Sequence, residues 1–182
     1  MRRDHKIVGI TGLPASGKTE VSKVMEDMGI PTIRMGDVVR KDAPRIEDVG
    51  RFADLLRKKE GMDAIAKRCL PRIEEILKDR AINIILIEGI RNLEEVEFFK
   101  SSFSDNFILI AIDSPDRERF KRVLKRGRED VTRDFESFKR RDTREMNWGI
   151  DRVIEMADMK IKNDSSLEDL KKKVRDIVEM LV

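Results

Sequence analysis

The chain has 182 residues, of which 39 are Lys or Arg and 36 are Asp or Glu, for a formal net charge of +3. That length fits one ordinary domain, residues 1–182, with a core large enough to need no staples. The single cysteine, Cys69, excludes an internal disulfide, and the single histidine, His5, leaves no Cys/His set for zinc. The apolar run from Lys6 to Ile10 is too short for a signal-peptide core or a membrane span, which points to a cytoplasmic protein with no membrane partner.

Ile7 to Ile10 reads as the first strand. The segment Gly12-Leu13-Pro14-Ala15-Ser16-Gly17-Lys18-Thr19 follows it and fits the spacing G-x-x-x-x-G-K-[ST]. Glycines let such a loop aim backbone N–H groups at phosphate oxygens, and a helix N-terminus adds a favourable dipole. Lys18 is expected to reach the β- and γ-phosphates of ATP, and the Thr19 hydroxyl to ligate Mg²⁺. The residues from Lys18 to Met28 have helical spacing, Gly29 closes the helix, and Pro31 to Arg34 reads as the second strand.

Arg40 to Arg80 and Arg117 to Ala157 exceed what a simple crossover requires and are helical and highly charged, so each is expected to cover substrate. Asn83 to Ile87 and Phe107 to Ile112 are almost continuously apolar, the pattern of strands buried on both faces. Glu88 ends the first of these beside the phosphate loop, where a carboxylate can hold Mg²⁺ directly or through water.

From Arg117 to Arg128 seven residues are basic, while Phe120, Val123 and Leu124 form an apolar stripe. The spacing of Arg122 and Arg126 puts two guanidinium groups one turn apart on one helix face. Trp148 reads as a packing residue, Cys69 as buried, and His5 as a surface group. Met159 to Lys162 alternates apolar and charged residues, as an edge strand does. Ser165-Ser166-Leu167-Glu168 has capping-box spacing and opens a closing helix that should pack on the sheet.

Strands alternating with helices imply an α/β fold of three layers, a five-stranded parallel sheet with the phosphate loop at its carboxyl edge. The guanine-reading signals of switch GTPases, D-x-x-G and N-K-x-D, are absent from the sequence, so kinases of small molecules and other ATPases remain.

The residues resemble the P-loop nucleoside monophosphate kinase and dephospho-coenzyme A kinase superfamily over most of the chain. Ile7 to Gly12, Met28 to Pro31, and Ala157 to Asp164 are similar to dephospho-coenzyme A kinases, whose last element lies beside the nucleotide base; this implies that Asn163 contributes to ATP binding. Gly36-Asp37-Val38-Val39-Arg40 and Glu88-Gly89-Ile90-Arg91 are similar to the acceptor elements of adenylate kinases. The mixture looks like an archaeal family of proteins related to both.

By that resemblance Gly36, Asp37, Arg40, Gly89 and Arg91 hold the acceptor, residues about 40–80 form its insertion, and about 117–145 form a lid supplying Arg122 and Arg126. One of Arg128, Arg133, Arg140 and Arg141 would complete the arginine clamp. Asp37 has two readings: a base for a hydroxyl acceptor, or the cap of a helix beginning near Val38. The function implied is transfer of the ATP γ-phosphate to a nucleoside monophosphate such as AMP. Alternatives are transfer to a ribose hydroxyl, and an ATPase associated with nucleic acid, a partner less favoured because stacking aromatics are scarce.

Overall fold

The computed structural model describes residues 5–43, 49–126 and 134–182. In chain order it contains β1 (Lys6–Thr11), α1 (Lys18–Asp27), β2 (Thr32–Arg34), α2 (Met35–Asp42), α3 (Val49–Glu60), α4 (Ala64–Ile76), β3 (Ile84–Glu88) and α5 (Leu93–Phe103). These are followed by β4 (Phe107–Asp113), α6 (Asp116–Arg126), α7 (Phe135–Asn147), α8 (Ile150–Glu155), β5 (Met159–Lys162) and α9 (Leu167–Leu181). The five strands form one all-parallel sheet in the order β2-β3-β1-β4-β5, so the sheet expected from the apolar runs is present.

Strand periodicity explains the three layers. Ile7, Ile85, Ile87, Phe107 and Leu109 point to one face, where Val39, Cys69, Ile73, Val96 and Phe99 of the helices α2, α4 and α5 cover them. Val8, Ile10, Ile84, Leu86, Ile110 and Ile112 point to the other, under Val21 and Met25 of α1 and Leu170, Val174 and Val178 of α9. Successive residues of β1, β3 and β4 thus enter different cores, which is why these strands carry almost no polar side chains. β5 at the sheet edge buries Ile161 and exposes Lys160 and Lys162, as its alternation predicts.

Two caps differ from expectation. α9 is capped by Ser166, whose side chain accepts from the Asp169 N–H, one residue later than the Ser165 spacing suggests. Ser165 instead bonds the Asp169 carboxylate. α2 begins at Met35 with Arg34 at its N-cap, so Asp37 sits inside the first turn and the reading of Asp37 as a cap is overturned. β2 runs directly into α2 with no intervening loop, and the helix therefore starts before any Asp can cap it.

Candidate active site

β1 ends at Thr11, and the chain turns sharply at the sheet's carboxyl edge. Gly12 (φ 142°) and Gly17 (φ 115°) occupy the left-handed half of conformational space, and so does Ala15 (φ 61°). A Cβ on Gly12 would lie 2.5 Å from the Ile112 carbonyl oxygen, and one on Gly17 would run into the Asn163 amide. Gly17 is also the N-cap of α1 and offers no side chain to its first-turn N–H groups. The Glu20 and Val21 N–H groups bond the Gly17 carbonyl, so α1 begins directly at the loop and sets its N-terminus there, the arrangement that suits a phosphate anion.

Lys18 folds back over the loop and donates to the carbonyls of Gly12 (2.5 Å) and Leu13 (2.9 Å). Desolvation pushes its pKa down to about 8, with the nearby charges of Glu145 and Glu88 opposing that effect and those of Arg91 and Arg141 adding to it.

Behind the loop lies a brace built from the far end of the chain. The buried Asn163 donates from Nδ2 to the Ser16 carbonyl at 2.7 Å, and its own carbonyl accepts from Ser114 Oγ (2.7 Å) and Arg122 Nη2 (3.0 Å). Arg122 Nη1 donates in turn to Ser114 Oγ (2.8 Å) and the Ala15 carbonyl (3.2 Å). Arg122 and Asn163 therefore bond the underside of the cradle. In α6 the most deeply buried residue is a charged one: Arg119 is 0% exposed, whereas Leu124 of the expected apolar stripe is 44% exposed. Arg119 donates to the Pro14 carbonyl at 2.9 Å and clasps both oxygens of Asp142 in α7, at 2.9 and 2.6 Å.

Glu88 ends β3 with its side chain 13% exposed, accepting from Ser22 Oγ at 2.7 Å and lying 3.3 Å from Arg34 Nε. Ser22 is one turn along α1 from Thr19, which brings the Thr19 hydroxyl and the Glu88 carboxylate to the same part of the helix surface. Among the described residues no group of three or more His, Cys, Asp or Glu side chains could hold a metal ion by itself. A pair of oxygen ligands beside a phosphate cradle suits Mg²⁺, which keeps several waters and shares phosphate oxygens.

The cradle opens on a cleft of about 700 Å³ that is lined by Pro14, Gly36, Arg40, Gly89 and Arg91, together with side chains of α3 and α7. Thr11 Oγ1 donates to the Ile90 carbonyl at 2.8 Å and fixes the turn that carries Gly89 (φ 107°) and Arg91. Arg91 bonds Glu145 at 2.8 Å, and its backbone N–H donates to Glu95 Oε2 at 2.8 Å. Arg40 pairs with Asp37 at the exposed rim. Arg140, Arg141 and Arg144 line the opposite wall from α7.

The structure thus brings Arg40, Arg91, Arg140 and Arg141 to one cleft. The side chain of Arg126, and the whole of Arg128 and Arg133, lie outside the described residues. Sequence reading passed over Arg57, Glu145 and Trp148, all of which line the cleft. Trp148 in particular is not mere packing: Arg57 lies 4.5 Å and Arg91 5.2 Å from its ring centroid, and Nε1 donates to Asp54 at 2.6 Å. Its place in the cleft had one available signal, the following Gly149 (φ 89°), which ends α7 and turns the chain back toward the sheet.

The AAA domain family matches residues 8–148. A UPF0200/UPF0201 protein of Archaeoglobus fulgidus is 45% identical over 96% of this chain, which spans 55% of that longer protein. A UPF0200 protein of Methanosarcina barkeri is 43% identical over 97% of this chain and 94% of its own length. Among solved structures, TT1252 from Thermus thermophilus superposes with a TM-score of 0.66 at 20% identity, covering 98% of both chains. Shikimate kinase from Acinetobacter baumannii, solved in complex with shikimate, gives 0.60 at 14% identity over 98% of this chain and 95% of its own. At these identities the structural likeness concerns the fold, which is that of P-loop kinases. No helix among the described residues is long and apolar enough to cross a membrane. With its phosphate cradle, its parallel sheet and archaeal relatives that match almost all of this chain, the chain belongs to the UPF0200 family of P-loop kinase-like proteins.

Proposed function

We propose that this single domain is an ATP-dependent phosphotransferase that passes the γ-phosphate to a nucleoside monophosphate. The observation that carries this reading is the opening of the phosphate cradle directly onto the arginine-lined cleft, Pro14 being common to both. A cradle alone serves any nucleoside triphosphatase, whereas a second cationic cleft at its mouth provides for a second phosphorylated substrate.

In this mechanism the loop amides and Lys18 hold the donor phosphates, and Lys18 leaves the Gly12 and Leu13 carbonyls to do so. Arg40 of α2 and Arg91, just past the carboxyl end of β3, hold the acceptor phosphate. Arg141, whose charge is felt at Lys18, neutralises the transferring phosphoryl group. Arg122 contributes by holding the loop in shape, and the resemblance assigns Arg126 to the lid. Mg²⁺, held by Thr19 and Glu88, would offset the negative charge of the phosphates. An acceptor already ionised at neutral pH requires no base, and the exposed Asp37 then serves only to orient Arg40.

A coupled ADP-release screen across nucleoside monophosphates and dephospho-coenzyme A, with and without Asp37→Asn, tests the reading. Turnover with a nucleoside monophosphate, unchanged within about threefold by Asp37→Asn, is expected. Turnover only with dephospho-coenzyme A, lost in the variant, would establish the hydroxyl acceptor. Salt-sensitive RNA or DNA binding without transfer to any mononucleotide would instead identify a nucleic-acid-associated ATPase.

The depressed pKa of Lys18 adds a pH signature. Bound phosphates favour the charged ammonium, so ATP affinity is level where Lys18 is already protonated and falls as pH rises through about 8. Calorimetric titration at pH 9 in two buffers of different ionisation enthalpy should reveal proton uptake on binding. Equal heats in both buffers would contradict this role for Lys18.

A further inference from the structure

The inner wall of the cleft holds a guanidinium group that the phosphate chemistry does not use. Arg57 of α3 is 4% exposed and lines the cleft, and its Nη2 donates to the buried Glu95 at 2.8 Å. Its Nε and Nη1 are buried and have no hydrogen-bond partner. Buried donors without partners are costly, and a ligand that supplies acceptor atoms recovers that cost.

The electrostatics around Arg57 select the kind of group it would take. Glu95 neutralises its charge, so the pair offers donors without a surplus of positive charge. The wall beside it is apolar, formed by Met35, Val39, Ala53 and Ile65. A flat apolar group with an exposed carbonyl oxygen satisfies such a place better than a second phosphate does. Guanidinium has donors only, so it pairs with an oxo group and opposes an exocyclic amino group, the basis on which arginine selects guanine O6 and N7 in nucleic acids.

Building on the nucleoside monophosphate reading, we propose that Arg57 is the base-selecting residue of the acceptor site, and that the acceptor base carries oxygen at purine C6 or pyrimidine C4 (guanine, hypoxanthine or uracil) rather than the amino group that adenine and cytosine carry there. Trp148 holds the guanidinium against its ring, and Asp54 fixes the indole in turn. Glu95 also bonds the backbone of Arg91, so one carboxylate sets the base-reading and the phosphate-holding arginines in register.

The decisive pair is IMP and AMP, which differ only at the edge where oxygen and N–H replace an amino group and a ring nitrogen. With Mg²⁺ and ATP fixed, kcat/KM for IMP should exceed that for AMP by about 100-fold, most of it in KM. GMP and UMP should follow IMP, and CMP should follow AMP. Arg57→Lys, which keeps a cation for Glu95, should bring the IMP to AMP ratio to within about threefold while ATP affinity holds. Trp148 is the only tryptophan of the chain, so its fluorescence reports occupancy of the cleft without turnover.

AMP used as well as IMP by the unaltered protein, or a ratio that survives Arg57→Lys, would overturn the assignment while leaving phosphotransfer standing. If no mononucleotide is phosphorylated, the catalytic reading fails and the fluorescence titration decides the subsite. Tighter binding of IMP than AMP then keeps it, and equal or no response removes it.

Discussion

Lys18→Ala is expected to lower phosphotransfer by about a thousandfold, the scale of losing a charged donor aimed at developing negative charge. The same variant should melt at a higher temperature than the unaltered protein. The folded-state pKa of Lys18 is lowered from 10.5 to about 8, so carrying the charge opposes folding at neutral pH. That cost is fully present below about pH 8 and fades as pH rises toward 10.5, where the unfolded chain also loses the proton. Removing the ammonium relieves it, although two hydrogen bonds to loop carbonyls are lost. Activity assays beside thermal melts at pH 7 and pH 10 check both halves. A variant that stays active, or one whose melting point drops at pH 7 more than at pH 10, contradicts the assignment.

Arg119→Ala is expected to cost about 3–5 kcal/mol of stability, because it leaves the Asp142 carboxylate buried without its bidentate partner. The guanidinium also lies 4.8 Å from the ring centroid of Phe138 and within 2.9 Å of the Pro14 carbonyl. Its loss therefore separates α6 from both α7 and the loop. Arg119→Met combined with Asp142→Leu should recover much of the loss, since an apolar pair needs no compensating charge. Urea denaturation of the two variants measures this. A loss below about 1 kcal/mol for Arg119→Ala would mean that the pair is not buried in solution.

The sheet was legible because its strands are apolar on both faces. Ile84 to Ile87 has no reading other than a central strand, and the loop from Gly12 to Thr19 is bounded by its own spacing. The helices of the cleft were not legible in the same way. Arg57 and Arg119 sit in stretches as basic as any solvated surface, and a buried arginine is written no differently from an exposed one. What buries them is a carboxylate 38 or 23 residues away, Glu95 or Asp142, a pairing that no local period encodes. Arg122 was read as a lid arginine facing the phosphates, whereas its guanidinium bonds Ser114 and the Ala15 carbonyl, because the direction of its helix face depends on how α6 docks. Arg119 determines that docking. Trp148 was set aside because a lone tryptophan usually packs, and only the fold brings Arg57 of α3 and Arg91 of the turn after β3 to its ring.

The bond from Asn163 to the Ser16 carbonyl spans 147 positions. A ribosome making this chain therefore completes Ser16 147 positions before the asparagine that braces it. A partly made chain displays the glycines and Lys18 without the support that gives the loop its shape. The shape of the loop in this way waits on a residue translated long after it.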